Sequence, residues 1–585
     1  MALMDLLSLS PQQAQGGALL LAISICCWAY LRTHRSNLPY PPGPPPKSLL
    51  AGNLTDLPPK RAWETYNKWS ETYNSKHNPK SQLDYAHSSH PLGDIIHFRV
   101  FGQHMVVLKT LDLARELLEK RSTVYSDRPY NAMIDLMEWD IAVGFKPYGP
   151  EWRHHRRLFQ QAFRTGEPTL RYRAIQTDKV NDFLHSLLED PDEFRHHCKA
   201  LSAAVIMRVI YGYDSAPKED YFVDLSEAAM VKMCDSWVAP GAMVVNTLPI
   251  LRHLPSWFPG ATFKKYAIEG QELTRKIRDV PFAFVTKSIA AGTAKHSVVS
   301  DMIANNEDQE TIKAVAATGY GDTTQAGADT TMATLAWFFY AMILHPEVQK
   351  KAQEELDKVV GNGRLPTYED RDSLPYIDAV VKEVLRWRPI VPLGLLHATS
   401  FDDIYDGYFI PKGTIVMANI WAIANDKNIY EKPEIFNPDR YFDNDGKLTT
   451  EGIHSEVWSF GFGRRCVEFG IGIILFLLFL LHDVQHLPRS PVGTRHGKTS
   501  SICPSVNVTG CLIFLFSNQV WLSIATVLST FDILKKKDAN GNVIPIDEDI
   551  EVADGLVSHA ADFACAVTPR SNAARRVITE AGGSS

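Results

Sequence analysis

The stretch FGFGRRC, at residues 460–466, is the part of the sequence on which the fold assignment rests. It is a glycine-rich basic turn that ends on a cysteine, and a second motif, FNPDRY at residues 436–441, precedes it. A third motif, Glu383 with Arg386, lies upstream in a strongly helical stretch at residues 377–387. Residues three apart share a helix face, so this acid and this base can pair. Such a pair alone is usually a surface ion pair, but the fixed order of three motifs argues against coincidence.

Composition excludes several classes of protein. The chain has 585 residues, of which 22% are charged and 45% hydrophobic, an ordinary globular composition that rules out disorder or a collagen-like structure for the bulk. A net charge of −7 argues against a nucleic-acid partner. The eight cysteines are scattered, without the spacing of a disulfide framework or a zinc module. A reducing compartment is therefore the simpler interpretation.

The first residues predict where the protein resides. Residues 16–31 form an uncharged apolar run, slightly shorter than the roughly 20 residues that span a bilayer. Basic residues follow this run, whereas only an acid, Asp5, precedes it, so the positive-inside rule places the rest of the chain in the cytoplasm. We predict a single-pass membrane anchor at residues 1–37, a stiff proline-rich hinge at 38–47 and one catalytic domain at 48–585.

The body of the chain is predicted to be mainly α with small β-sheets. Apolar residues recur at helical spacing in the segments 111–120, 152–163, 177–188 and 201–211. Short alternating runs with turn residues nearby predict strands at 95–100, 105–108 and 408–416.

A second group of residues that could take part in chemistry is AGADTT, at residues 326–331. It lies inside a long apolar helix predicted for about residues 312–344. Asp329 and Thr330 place an acid and a hydroxyl in an apolar helix, which costs free energy unless they are hydrogen-bonded or functional. The structural alternative is a helix kink or a threonine bonded back to its own helix.

A third group is Trp152 and Arg156, which lie one helical turn apart. An indole N–H and a guanidinium at this spacing can both reach one carboxylate. The alternative interpretation is a basic surface helix, because this segment also carries other basic residues.

Together these motifs resemble the cytochrome P450 family, and the surrounding sequence is similar to fungal microsomal members of the O-methylsterigmatocystin oxidoreductase-like type, over roughly residues 38–580. The resemblance implies the cytochrome P450 fold and a heme b cofactor whose iron is bound by a cysteine thiolate. It also implies a monooxygenase that inserts one oxygen atom from O2 into a lipophilic small molecule. The electrons would come from NADPH through NADPH–cytochrome P450 reductase, at the endoplasmic reticulum membrane.

The same resemblance implies roles for individual residues. A buried network that fixes the loop around the haem would consist of Glu383, Arg386 and Arg440. Proton delivery to iron-bound dioxygen would depend on Asp329 and Thr330. The cofactor itself would be bound by Trp152, Arg156, His397 and Arg464.

The axial cysteine departs from the family pattern, which reads Phe-x-x-Gly-x-Arg-x-Cys-x-Gly. Phe460, Gly463 and Arg465 are in place, but Cys466 follows Arg465 immediately, so one spacer residue is missing. Cys503 is the alternative ligand, because the Ile-Cys-Pro sequence around it is the usual family continuation after Gly-Arg-Arg.

Two stretches have no family counterpart, at about residues 74–92 and 467–515. Family-like sequence continues on both sides of each stretch, so we interpret them as unremoved introns or gene-model errors. Two other functions remain open at this point. The interrupted cysteine loop is compatible with an inactive or haem-free relic, and haem-thiolate proteins also include isomerases and dehydratases that need no reductase.

Overall fold

The computed structural model describes residues 38–73, 94–162, 167–216, 219–236, 242–322, 326–449, 459, 461–465, 511–547, 550, 552–553 and 557–582. The predicted anchor, the stretches 74–92 and 467–510, and both candidate axial cysteines lie outside these residues. Within the described part of the chain, no helix is long and apolar enough to cross a membrane. The predicted anchor is therefore not confirmed.

Helices dominate the described residues, as the sequence predicted. In chain order the α-helices are α1 (Ala62–Thr72), α2 (Leu111–Ala114), α3 (Ser122–Tyr125), α4 (Ala132–Leu136), α5 (Pro150–Ala162), α6 (Glu167–Glu189), α7 (Phe194–Tyr211), α8 (Tyr221–Asp235), α9 (Ala242–Thr247), α10 (Thr262–Ala290), α11 (Val298–Ala304), α12 (Gln309–Ala317), α13 (Ala326–Leu344), α14 (Pro346–Val359), α15 (Pro375–Trp387), α16 (Ile420–Ala424), α17 (Cys511–Thr530) and α18 (Asn572–Gly582). Two π-helical turns lie at Arg115–Lys120 and Thr318–Asp322.

The sheets are small. The strands are β1 (Ile95–Val100), β2 (Gln103–Leu108), β3 (His397–Ala398), β4 (Asp403–Tyr405), β5 (Tyr408–Ile410), β6 (Ile415–Ala418), β7 (Phe531–Lys535), β8 (Val552–Ala553), β9 (His559–Ala560) and β10 (Cys565–Pro569). The largest described sheet has the order β1-β2-β6-β3, in which β2 and β6 are parallel and the other pairs antiparallel. The predicted run at 408–416 is thus two strands in different sheets, because Pro411 and Gly413 turn the chain between them.

The core is built around α13, which packs against α7, α15 and α17. Residues 335–343 of α13 are all buried, as expected for a helix that is apolar on every side. The mainly α fold with small sheets is confirmed by these elements. α13 therefore provides a rigid support for the candidate residues at its N-terminal end.

Within the helix predicted for about residues 312–344, the described residues are α-helical at Gln309–Ala317 and Ala326–Leu344 and form a π-helical turn at Thr318–Asp322. α12 ends at Ala317 and the π-helical turn follows at Thr318. The hydroxyl of Thr318 donates to the carbonyl oxygen of Ala314 at 2.8 Å, a back-bond that weakens the regular helical pattern. The apolar periodicity of the sequence does not register such a local change.

The proline-rich hinge lies along β1, at the edge of the largest sheet. The amide of His97 donates to the carbonyl oxygen of Pro42 at 2.8 Å, and the amide of Phe409 donates to that of Pro39 at 2.8 Å. Gly43 approaches the sheet so closely that a Cβ there would lie 1.8 Å from the carbonyl oxygen of His97. Covering an edge strand in this way removes a surface for unwanted pairing.

Candidate functional site

Arg465, the last described residue of the glycine-rich turn, is buried and donates to three backbone carbonyl oxygens. Its Nε lies 2.7 Å from the oxygen of Ser126, its Nη2 2.8 Å from that of Lys146, and its Nη1 3.3 Å from that of Val143. Its guanidinium carbon stands 4.8 Å from the ring centroid of Trp152. These contacts fix the guanidinium against α5.

Arg128 also donates a hydrogen bond to the backbone near Val143. Its Nε donates to the carbonyl oxygen of Gly144 at 2.8 Å, and its Nη1 donates to that of Leu396 at 2.7 Å. The loop at residues 142–146, here called the carbonyl loop, therefore accepts hydrogen bonds from two guanidinium groups that are far apart in the sequence.

His397 lies on β3 beside these two arginines. Its Nδ1 is 2.7 Å from the carbonyl oxygen of Tyr125, and because a carbonyl can only accept, Nδ1 carries the proton. Burial lowers the pKa of His397 to about 3, and the positive charges of Arg128 and Arg465 add to this effect. The imidazole is therefore neutral at pH 7, with Nε2 as an acceptor.

Trp152 and Arg156 share one face of α5, as their spacing predicted. Trp152 is buried, and the guanidinium carbon of Arg156 lies 5.1 Å from the centroid of its ring. Pro150 begins the helix, where its missing N–H costs nothing. The inner face of α5 thus brings an indole and a guanidinium to the same cluster as Arg465.

Arg464 takes a different position from Arg465. Its Nη1 lies 2.5 Å from the Tyr148 hydroxyl oxygen, and its guanidinium carbon lies 5.3 Å from the centroid of the Tyr148 ring. Arg464 is half-buried at the margin of the cluster.

The structure also brings Glu383, Arg386 and Arg440 together. The side chains of Glu383 and Arg386 are fully buried. Arg386 donates Nε and Nη2 to the two carboxylate oxygens of Glu383, each at 2.8 Å. Arg440 donates Nε to Glu383 Oε1 at 3.1 Å. Burial acts to lower the pKa of Arg386, but the hydrogen bonds and charge of Glu383 outweigh it, so the net shift is upward. Arg386 therefore remains charged inside the protein.

Thr330 lies in the first turns of α13 and is half-buried. Its carbonyl oxygen accepts from the hydroxyl of Thr334 at 2.5 Å. Asp329 precedes it on the same helix, and its side chain lies outside the description. The helix thus carries the acid and the hydroxyl on consecutive residues.

The cluster formed by Arg128, Trp152, Arg156, His397 and Arg465, here called the cationic cluster, suits an anionic ligand. Three guanidinium groups and an indole N–H supply donors only, and like charges in a buried place favour an anion between them. The hydroxyl of Ser126, next to the carbonyl that Arg465 binds, is buried and has no hydrogen-bond partner among the described residues. A ligand that carries carboxylates would satisfy such a set of donors.

A cavity of about 570 Å³ adjoins this cluster. Its lining includes Arg128, Pro129, the turn at residues 393–396 and the segment 58–63. The described residues at 242–248 are not part of this lining. The wall is largely apolar around a few charged groups, the usual make-up of a small-molecule site.

Comparison with known proteins decides the family. A family model described as Cytochrome P450 matches residues 58–487. Cytochrome P450 monooxygenase 98 from Postia placenta is 36% identical over 563 residues, which cover 95% of this chain and 95% of that protein. Cytochrome P450 monooxygenase COX2 from Coprinopsis cinerea is 35% identical over 560 residues, covering 95% and 94% of the two chains. The chain belongs to the cytochrome P450 family. Its relatives are fungal monooxygenases, and proteins of this family bind haem through a cysteine thiolate.

Haem carries two carboxylates, which are anions of the kind that the donors of the cationic cluster suit. Two members of the cationic cluster, Arg128 and Arg465, were not among the residues that we predicted to bind the cofactor. Arg465 has a signal in the sequence, because it occupies the arginine position of the cysteine motif, but the sequence does not show whether it or the adjacent Arg464 faces inward. Arg128 carries no comparable signal, because its role depends on the carbonyl loop and on β3, which are distant in sequence.

Proposed function

We propose that this chain is a haem-dependent monooxygenase that inserts one oxygen atom from O2 into a lipophilic small molecule. The electrons would come from NADPH through NADPH–cytochrome P450 reductase. The observation that carries the proposal is the cationic cluster, in which the guanidinium of Arg465 lies against Trp152 and the positive charges of Arg128 and Arg465 act on His397. When bound, haem supplies the oxidation chemistry, and a thiolate ligand favours O–O cleavage. The protein supplies binding, orientation and protons.

The cofactor carboxylates would be held by Trp152, Arg156, His397 and Arg465, with Arg464 at the margin. The first four converge on one side of α5 and β3, where the described contacts already fix the side chains. The guanidinium of Arg465 is anchored by three carbonyl oxygens. It would therefore meet a carboxylate without first losing side-chain freedom, which favours tight binding.

His397 would take up a proton when a carboxylate binds. Its Nδ1 proton is committed to the carbonyl oxygen of Tyr125, so neutral His397 offers only an acceptor at Nε2. A carboxylate at Nε2 would repel that lone pair, whereas a protonated Nε2 would donate to it. A negative charge nearby raises the pKa of an imidazole, opposite to the lowering by burial and by the two arginines.

Proton delivery would depend on Thr330 and Asp329. A hydroxyl relays protons by accepting one and donating another, and a neighbouring carboxyl can supply them. Both residues lie at the N-terminal end of α13, whose apolar remainder is packed in the core and holds them in place. This arrangement favours a monooxygenase over an isomerase or a dehydratase, which needs no protons from this position.

The axial ligand is proposed to be Cys466, with Cys503 as the alternative. Cys466 follows Arg465 directly in the sequence, and Arg465 is a member of the cationic cluster. Separate Cys466→Ser and Cys503→Ser variants distinguish the two. The variant that removes the true ligand loses the thiolate band of the reduced, carbon-monoxide-treated protein, and the other variant keeps it.

Membrane association at the endoplasmic reticulum, with the body in the cytoplasm, is part of the same proposal. Large apolar side chains are exposed in two segments, with Leu49 89% and Trp257 78% accessible. Exposed apolar residues of this size are typical of contact surfaces, including membrane contacts. The outer face of α5 carries the exposed Arg153 and Arg157, which would suit an acidic surface on the reductase.

A reduced, carbon-monoxide-treated absorption spectrum tests the proposal. A band at the thiolate position supports a haem-thiolate enzyme, and its absence from the full chain supplied with haem would favour the haem-free relic. NADPH consumption with purified reductase is the second measurement. Consumption supports the monooxygenase, and a thiolate band without consumption would favour the reductase-independent isomerase or dehydratase.

A further inference from the structure

We infer that Thr318 is a positioning residue of the haem site: its hydroxyl holds the carbonyl loop in the shape that orients Arg128 and Arg465. The inference rests on the proposed function for its link to haem. Its structural part, the link from Thr318 to the loop, stands on the described contacts alone.

The hydroxyl of Thr318 makes two directed hydrogen bonds. It donates its proton to the carbonyl oxygen of Ala314 at 2.8 Å, so its oxygen is left as an acceptor. That oxygen accepts from the amide of Val143 at 3.2 Å. Thr318 and Val143 are both buried, and a buried amide needs an acceptor.

Val143 is the point at which this bond reaches the arginines. Its carbonyl oxygen accepts from Arg465 Nη1 at 3.3 Å. The next carbonyl, that of Gly144, accepts from Arg128 Nε at 2.8 Å. Because neighbouring peptide groups rotate together, a shift of the Val143 amide would move both acceptors. The bond from Thr318 is thus placed where it controls two guanidinium positions.

The surroundings fix Thr318 itself. It begins the π-helical turn Thr318–Asp322, a form that is frequent at functional sites. Gly319, the next residue, packs against α7 so closely that a Cβ would lie 2.4 Å from Ile210 Cδ1. The close packing of Gly319 on α7 therefore restricts movement of the turn that carries Thr318. Since α13 with Thr330 follows the turn, one segment of chain supports both the proton-delivery residues and the arginines.

Three variants of the full chain test the inference. Thr318→Val keeps the shape of the side chain and removes the hydroxyl, whereas Thr318→Ser keeps the hydroxyl. Thr274→Val is the matched control, because Thr274 is equally buried and its hydroxyl donates to the carbonyl oxygen of Gly270 in its own helix at 3.0 Å. Both valine variants thus lose a back-bond, but only Thr318→Val also leaves Val143 without its acceptor.

Two measurements are made on each variant. Hydrogen exchange of the Val143 amide in haem-free chain should be about tenfold faster in Thr318→Val, which corresponds to ~1.4 kcal/mol. Release of haem from loaded chain to excess apomyoglobin should also be about tenfold faster. Thr318→Ser and Thr274→Val should behave as the wild type in both measurements.

Unchanged Val143 exchange in Thr318→Val overturns the inference, and so does faster exchange with unchanged haem release. Equal effects from Thr274→Val would overturn it as well, since general loosening would then explain the result. If the wild-type chain binds no haem, the proposed function fails separately, and the exchange of Val143 alone decides whether Thr318 holds the loop.

Discussion

Replacement of Glu383 by glutamine should destabilise the chain strongly. Glu383 Oε1 accepts from Arg386 Nη2, from Arg440 Nε and from the amide of Asn437, at 2.8, 3.1 and 2.9 Å. Its Oε2 accepts from Arg386 Nε at 2.8 Å. A glutamine can supply an oxygen at the first position, but its NH2 group would then face the N–H of Arg386. The variant therefore loses one charge-assisted hydrogen bond and leaves two buried guanidinium groups without their carboxylate.

The expected loss follows from these contacts. Loss of one hydrogen bond to a charged group costs about 1.5–3 kcal/mol, and breaking a buried ion pair by removing one partner costs about 3–5 kcal/mol in total. We expect Glu383→Gln to lower the free energy of unfolding by ~3–5 kcal/mol. Glu272→Gln is the control, because Glu272 pairs with Lys276 on the exposed face of α10 at 2.8 Å, and an exposed pair of this kind contributes little to stability.

Urea unfolding of the haem-free chain, followed by far-ultraviolet circular dichroism, measures both variants against the wild type. Using haem-free chain separates the effect on the scaffold from any effect on cofactor binding. If Glu383→Gln loses no more stability than Glu272→Gln, the reasoning is refuted. The network would then contribute nothing beyond an ordinary surface pair, despite its burial.

Four other outcomes are expected. The pKa of His397 is lowered to about 3 in the folded chain, so the unfolded state takes up this proton at higher pH than the folded state does. The free energy of unfolding of the haem-free chain should therefore fall by up to ~1.4 kcal/mol per pH unit as the pH falls from about 6.5 toward 3. His397→Asn should flatten this slope in urea titrations. Trp152→Phe keeps a ring under Arg465 and removes the indole N–H, so haem release to apomyoglobin should be several times faster, and the unfolding midpoint should fall because a smaller ring replaces the buried indole. Thr330→Val should raise the fraction of NADPH electrons recovered as hydrogen peroxide, measured with purified reductase, because proton delivery to dioxygen is impaired. Long-read transcripts should include forms that lack the segment encoding about residues 467–515, whereas transcripts that all retain it would contradict the intron hypothesis.

The fold could be predicted from sequence where periodicity is long and regular. α15 and α5 were found almost to their ends, because apolar residues recur at helical spacing and Pro375 and Pro150 mark their beginnings. The π-helical turn at Thr318 was missed, since it depends on a single hydroxyl and on the packing of Gly319 against Ile210. Contacts between distant segments decide such local changes, and no window of sequence contains them.

The candidate site shows the same contrast between positions that local spacing predicts and positions that contacts between distant segments decide. Trp152 and Arg156 are one turn apart, so their common face follows from helix geometry alone. Arg464 and Arg465 are adjacent, and the sequence offers two guanidinium groups without showing which one faces inward. The carbonyl oxygens of Ser126, Val143 and Lys146 decide in favour of Arg465. Backbone acceptors have no side-chain signature, so this choice needed a structure.

The carbonyl loop explains why the cationic cluster can exist before any ligand is bound. Carbonyl oxygens accept hydrogen bonds from Arg128 and Arg465 and orient both guanidinium groups, and the positive charges of the two arginines lower the pKa of His397. The unfavourable work of bringing these charges together is thus done during folding. An anion that binds in the cluster is attracted by these preassembled charges, and this attraction adds to the binding free energy. Loosening of the loop at Val143 should therefore affect haem release more than it affects folding.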